Sequence, residues 1–183
     1  MTLETLDKLE ALLAERFPAL PRERLADALI VRVEPAELVA TMTRLRDDPE
    51  LDFKQMIDLA GVHYPDREPT MEVVYQLLSV HKNHRLRVKC AIGEGVPLPS
   101  VIPVWSCADW YEREAYDLLG ILFTGHPDLR RILNDYDFDG HPLRKDFPVF
   151  GRYEVRYDEK QGRIVREPVE LERAYREPYR HTL

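Results

Sequence analysis

The sequence predicts an α+β fold: a small mixed, largely antiparallel sheet with helices packed on one face, followed by an extended C-terminal arm. Three observations predict it. Leu6, Leu9, Leu13 and Phe17 recur every three to four residues, the period of an amphipathic helix. In RLRVKCAI, residues 85–92, Leu86, Val88, Cys90 and Ile92 alternate with Arg85, Arg87, Lys89 and Ala91, the period of a half-buried antiparallel strand. After Phe123 both periods vanish, and Pro, Gly, Asp and Arg dominate.

The elements follow in order. The first helix ends near Pro18, because proline cannot continue the hydrogen-bond ladder. DALIVRV, residues 27–33, predicts a strand, and Pro35 opens a second helical pattern through Leu45. MIDLAGVHYP is apolar, interrupted by Gly61 and stopped by Pro65, which predicts another strand. MEVVYQLLSV (71–80) and RLRVKCAI pair through the short loop HKNH. Pro97, Pro99 and Pro103 make 93–105 an extended connection, and Ser106 with Asp109 three later resembles a capping box for a helix from Cys107 to Gly120. Residues 1–123 are thus expected to form an α/β domain and 124–183 an arm, with YEVRYDEKQGRIVREPV able to form a hairpin at 152–169 around Gly162.

Composition narrows the function classes. The 183 residues carry a formal net charge of −7, which gives a nucleic-acid polyanion no general attraction. The region 147–183 holds 8 basic and 7 acidic residues, so it is not a basic arm for nucleic acid. Its four tyrosines, Tyr153, Tyr157, Tyr175 and Tyr179, interleaved with arginines, are instead the composition of a protein interface. No apolar run approaches the 18 or more residues that span a bilayer, and the first twenty residues lack a signal-peptide pattern, so the chain is expected to be soluble by itself. Two cysteines, Cys90 and Cys107, cannot build an iron–sulfur cluster or a four-cysteine zinc site alone.

DYDFDGHPLRKD, residues 135–146, raises the question of calcium. Asp135, Asp137, Asp139 and Gly140 fit the first half of a twelve-residue loop. The second half departs from it: Pro142 and Leu143 occupy places eight and nine, Asp146 replaces the bidentate Glu, and Arg144 and Lys145 oppose a dication. The charges need another explanation. On the helix 107–120, Cys107, Trp110, Tyr111 and Leu118 form an apolar stripe with Glu114 in its middle. A carboxylate buried there needs a cation, from Arg130, Arg131, Arg144 or Lys145, or it faces a polar partner surface. General-acid work by Glu114 lacks a nucleophile, a phosphate loop or a second carboxylate. Cys107 is read as packed, and His81 with His84 as an ordinary solvated turn rather than two metal ligands.

WYEREAYDLLGILFTGHPDLRRIL (110–133) followed by DYDFDGHPLRKDFP (135–148) resembles the signature of the 30 kDa, or C-type, subunit of the proton-pumping NADH:quinone oxidoreductase, respiratory complex I. Glu112, Arg113, Glu114, Tyr116, Asp117, Gly120, Gly125, His126, Pro127, Leu129, Arg130 and Arg131 fit the pattern position by position. So do Gly140, Pro142, Leu143, Arg144, Lys145, Asp146 and Pro148; Leu119 departs, standing where an aromatic is common. The resemblance implies a peripheral subunit of the hydrophilic arm, on the cytoplasmic side of a bacterial membrane, beside the 49 kDa-type subunit. It implies no cofactor on this chain, with FMN and iron–sulfur clusters in partner subunits, and membrane contact only through the complex. No catalytic residue is expected, and the matched residues are expected to supply turns and charged contacts. Related membrane-bound hydrogenases and ferredoxin- or coenzyme-linked dehydrogenases carry a similar subunit, and that alternative stays open at this level.

Overall fold

The computed structural model describes residues 3–26, 28–148 and 153–169. By its contacts the chain divides into two units, Met1–Phe147 and Pro148–Leu183. The first is an α+β layer structure. A helix α1, Leu3–Arg16, leads into two short strands, β1 (Arg22–Arg24) and β2 (Leu29–Arg32). The strand predicted from Asp27 begins at Leu29; Asp27 itself lies outside the described residues. A 3-10 turn, Pro35–Glu37, opens helix α2, Leu38–Asp47. Strands β3 (Gln55–His63), β4 (Met71–Ser79) and β5 (His84–Ile92) follow, then β6 (Leu98–Pro99), helix α3 (Ala108–Leu119) and β7 (Phe123–Thr124).

The five-stranded sheet has the order β1-β2-β5-β4-β3. Every pairing is antiparallel except β2 with β5. That one parallel pair follows from the α2–β3–β4 excursion between them, which returns the chain to β2 from the far edge. The alternation read in β5 holds along the pair: Tyr75 faces Val88, Leu77 faces Leu86 and Val73 faces Cys90, all buried. This face joins Leu6, Leu9, Leu13, Leu38, Met42 and Leu45 of the first two helices in one core. Each such buried side chain contributes roughly 1.5–3 kcal/mol relative to exposure.

The predicted helix at 107–120 is confirmed within a residue, but not its cap. The N-cap is Cys107, without a side-chain cap hydrogen bond, rather than Ser106. At the other end Gly120 adopts φ +79°, and its N–H bonds to the Tyr116 carbonyl. A Cβ there would come within 2.8 Å of the His141 ring, so both conformation and space demand glycine. The connection 93–105 carries an element the prolines concealed: β6 pairs in parallel with β7, tying together the chain segments that enter and leave α3.

Residues 124–147 belong to the first unit, so the contact boundary falls after Phe147, later than the boundary at 123 expected from composition. The second unit holds a hairpin, β8 (Tyr153–Asp158) with β9 (Arg163–Pro168), turning through Gly162 at φ +62°. Register places Tyr153, Val155, Tyr157 and Ile164 on one face, with exposures of 59–71%, and Arg166 among them opposite Val155. Charged Glu154, Arg156, Arg163 and Glu167 take the other face, where Arg156 and Glu167 form an ion pair at 2.7 Å. Tyr175 and Tyr179 lie outside the described residues.

The Tyr75 hydroxyl is wholly buried and has no hydrogen-bond partner among the described residues. Removing it leaves no partner stranded, so Tyr75→Phe is expected to change stability by less than about 1 kcal/mol, or to raise it. Urea unfolding of the two chains checks this; a loss of several kcal/mol would reveal a partner for that hydroxyl.

Candidate functional site

The long motif of α3 and the segment after it forms one connected structure, and α3 presents it the other way round from the hydrophobic stripe. Its buried residues are Ala108, Glu112, Arg113, Ala115, Asp117 and Leu119. Trp110 is 61% exposed, Cys107 is exposed, and so is Glu114. Of the stripe, Leu118 is half-buried, and Tyr111 packs at the core edge and donates its hydroxyl to the Ile57 carbonyl at 2.9 Å. The reason is that α3 has two covered sides. One meets β3; the other meets the irregular segment 126–143, whose backbone offers donors and acceptors for charged side chains.

Asp117 is the centre of that second contact. Its Oδ2 accepts successive backbone N–H groups of Ile132, Leu133 and Asn134 at 3.0, 2.7 and 2.9 Å. Its Oδ1 accepts Arg131 Nη1 at 2.7 Å and the Asn134 side-chain amide at 2.9 Å. Burial opposes the charge, but the Asn134 and Leu133 amides and Arg131 outweigh it and hold the carboxyl well below the usual carboxylate range. Arg131 continues the network, donating through Nη2 to the Phe138 and Gly140 carbonyls at 3.0 and 3.1 Å. Arg113 donates to the carbonyls of Arg130 and Arg131, both at 3.2 Å. The guanidinium groups thus close a loop that has no regular ladder of its own.

Other predicted residues take separate places. His126 Nε2 faces the Asp109 carbonyl and carboxylate, each at 3.2 Å, and Nδ1 accepts the Asp128 N–H at 3.0 Å. Arg130 pairs with Asp128 at 2.8 Å. Arg144 grips Asp146 with two hydrogen bonds, 3.0 and 2.8 Å, and also pairs with Glu94. The Asp146 carboxyl is held down at about 2 chiefly by that bond. The Lys145 N–H reaches the buried His63 Nδ1 at 3.0 Å. None of the four cations expected for Glu114 reaches it; Glu114 has no ion-pair or hydrogen-bond partner among the described residues. Gly140, at φ +101°, abuts the Phe147 ring, while Gly125 (φ +79°), Pro127 and Pro142 lie in the same irregular stretch.

Glu112 is the second buried carboxyl of α3. Its Oε1 accepts the Val101 N–H at 2.7 Å, anchoring the connection after β6, while Oε2 is buried without a partner among the described residues. Burial pushes the carboxyl up, against the lowering pull of Ser100 and the Val101 amide. Asn134, His63, Glu94 and His141 also serve this region, and sequence reading missed them. His63 stands 82 positions from Lys145, and no periodicity or spacing links such pairs.

Arg131 binds the Phe138 and Gly140 carbonyls within the calcium-like loop. Asp135, Asp137 and Asp139 are exposed, and no group of three or more His, Cys, Asp or Glu among the described residues could hold a metal ion. His84 is buried and bonds to the Leu51 carbonyl at 2.7 Å, whereas exposed His81 meets Asp52 at 2.9 Å, so the solvated turn expected of the two holds only for His81. Cys90 is buried and its thiol pushed up to about 12 by burial. No helix among the described residues is long and apolar enough to cross a membrane.

Residues 31–153 match the family described as respiratory-chain NADH dehydrogenase, 30 Kd subunit. The chain belongs to this family. It is 57% identical over 151 residues to the C-type subunit of NADH-quinone oxidoreductase from Methylobacterium sp. (strain 4-46), covering 82% of this chain and 70% of the relative. It is 54% identical over 149 residues to the same subunit of Maricaulis maris, with 81% and 74% covered. One such subunit of Rhizobium meliloti is 52% identical over 179 residues, with 94% and 87% covered. The matched span of this family ends just inside β8, so it takes in α3 and the whole Asp117-centred segment.

The two buried carboxyls of α3 make opposite predictions. Asp117→Ala strands Arg131 and three amides, and is expected to cost about 3–5 kcal/mol of stability in denaturant unfolding at neutral pH. Because Asp117 is depressed on folding, its contribution is present above its unfolded value and lost as pH falls through the folded one; Asp117→Asn should flatten that acid limb. Glu112 has the opposite sign. Its raised carboxyl binds more protons folded than unfolded, so its contribution falls as pH rises from the ordinary glutamate range through the folded value. Glu112→Gln should remove that fall, read as a stability difference that grows in favour of the variant with pH and then levels off.

Proposed function

We propose that this chain works as the 30 kDa subunit of a proton-pumping NADH–quinone oxidoreductase, in the hydrophilic arm beside the 49 kDa-type subunit. Membership of the 30 Kd subunit family across residues 31–153 carries the reading. The complex passes electrons from NADH to a quinone. This chain contributes assembly and geometry, with FMN and iron–sulfur clusters in its partners and membrane contact made through them, on the cytoplasmic face.

Two features support a scaffold role. The charged residues of the motif, Glu112, Arg113, Asp117, Arg131, Arg144 and Asp146, are engaged in holding the chain's own backbone and one another. The hairpin of the second unit presents Tyr153, Val155, Tyr157 and Ile164 on one face, with Arg166 among them. A lone two-stranded hairpin is marginal in water, so that face calls for a covering surface, which the partner-binding arm in this reading receives from the 49 kDa-type neighbour.

The test is affinity purification from native membranes through a tag on this chain, with mass spectrometry and an NADH:quinone assay on the eluate. Flavin, iron–sulfur and membrane subunits with activity are the expected result; a nickel hydrogenase set, or the chain alone, would overturn it. In the same material, Val155→Ser with Ile164→Ser should reduce recovered complex several-fold while turnover per bound flavin stays unchanged. Full recovery with lost turnover would contradict a scaffolding arm.

A further inference from the structure

We infer that the outward ridge of α3 is a docking surface for a basic patch on a neighbouring protein of the same complex, with an arginine or lysine of that neighbour seated against Glu114. The inference rests on the functional reading above and adds a surface in the first unit to it.

Trp110, Glu114 and Leu118 stand four residues apart and so line up along α3. Trp110 is 61% exposed although it is the largest side chain on the helix. It is also held in place: the Arg113 guanidinium lies 5.1 Å from its ring centroid, and Arg113 is itself fixed by the Arg130 and Arg131 carbonyls. In the segment that Asp117 holds against α3, Leu133 is 63% and Tyr136 76% exposed. Leu133 is presented rigidly, since its own N–H and those on either side are bound by Asp117. Tyr136 lies within hydrogen-bonding reach of Arg130. Large rings and an aliphatic side chain, exposed yet already ordered, lose little freedom on docking and match the composition of residues that dominate binding.

Charge selects the occupant. Arg113 and Arg131 face inward, to carbonyls and to Asp117, and Arg130 is engaged at the surface in an ion pair with Asp128. Glu114 has no partner among the described residues, and neither the Asp135 nor the Asp139 side chain has one. What remains for a partner is an apolar ridge with uncompensated negative charge, which a surface carrying Arg or Lys among apolar groups complements. A second copy of this chain would bring the same acidic ridge to the contact.

The test uses the tagged full chain in native membranes with a photo-crosslinking benzoylphenylalanine in place of Trp110 or Tyr136, and of Lys8 on α1 as a control. Expected is one shared adduct from the first two sites, mapped by mass spectrometry to a peptide of another protein of the complex that contains Arg or Lys, and absent from the control. Glu114→Lys should lower that adduct on the order of tenfold, and Glu114→Gln less, with the circular dichroism of the full chain unchanged. A complex that co-purifies without the adduct, an adduct with a second copy, or one indifferent to Glu114→Lys overturns this inference and leaves the functional reading standing. Failure of the unmodified chain to recover any complex removes both.

Discussion

Five hydrogen bonds converge on the Asp117 carboxylate, and the shape of residues 126–143 depends on them. That segment has no helix or strand between β7 and β8 among its described residues, so its backbone groups need partners from elsewhere. Asp117 supplies acceptors for three consecutive amides. Arg131 and Arg113 supply donors for four carbonyls. A single buried carboxylate with matched donors thereby does what a regular ladder does in the sheet. Charge is tolerated in the interior because every lone pair that faces the protein is used.

The same arrangement explains why α3 shows Trp110 to solvent. A helix between two layers has two covered sides, and here the second layer is polar backbone. Glu112, Arg113 and Asp117 turn inward because the unpaired amides and carbonyls are there. Ala108 and Ala115 allow close approach, and Trp110 is left outside. In a free monomer an exposed, pre-ordered tryptophan gains nothing; in an assembly it is the kind of residue around which a contact is organised. The β8–β9 hairpin shows the same division in its own unit, with apolar residues on one face and an ion-paired face opposite.

The chain belongs to a family of oxidoreductase subunits, and the charged residues of its long motif hold its own backbone. The two buried carboxyls of α3 behave oppositely. Asp117 is saturated with donors and stays ionised, whereas Glu112 has one anchored and one unpartnered oxygen and is pushed up by burial. Both are used for position: one shapes the segment after α3, the other fixes the segment before it at Val101. The parallel pairing of β6 with β7 closes the frame by joining those two segments.

Local pattern and motif determined a good deal by themselves. The alternation in 85–92, the helical repeat from Leu6 to Phe17 and the prolines located the strands and the first helix, since period and backbone restriction are properties of neighbouring residues. The long ERE motif was specific enough to indicate the family without any fold. Tertiary structure alone decided which face of α3 is inside, that Asp117 rather than Glu114 meets an arginine, and that residues 124–147 pack with the body. Those outcomes depend on groups 14 to 82 positions apart, such as Asp117 with Arg131 and His63 with Lys145. Hydrophobic periodicity carries no signal for them, because it ranks residues by their cost of leaving water and not by the hydrogen-bond partners that offset it.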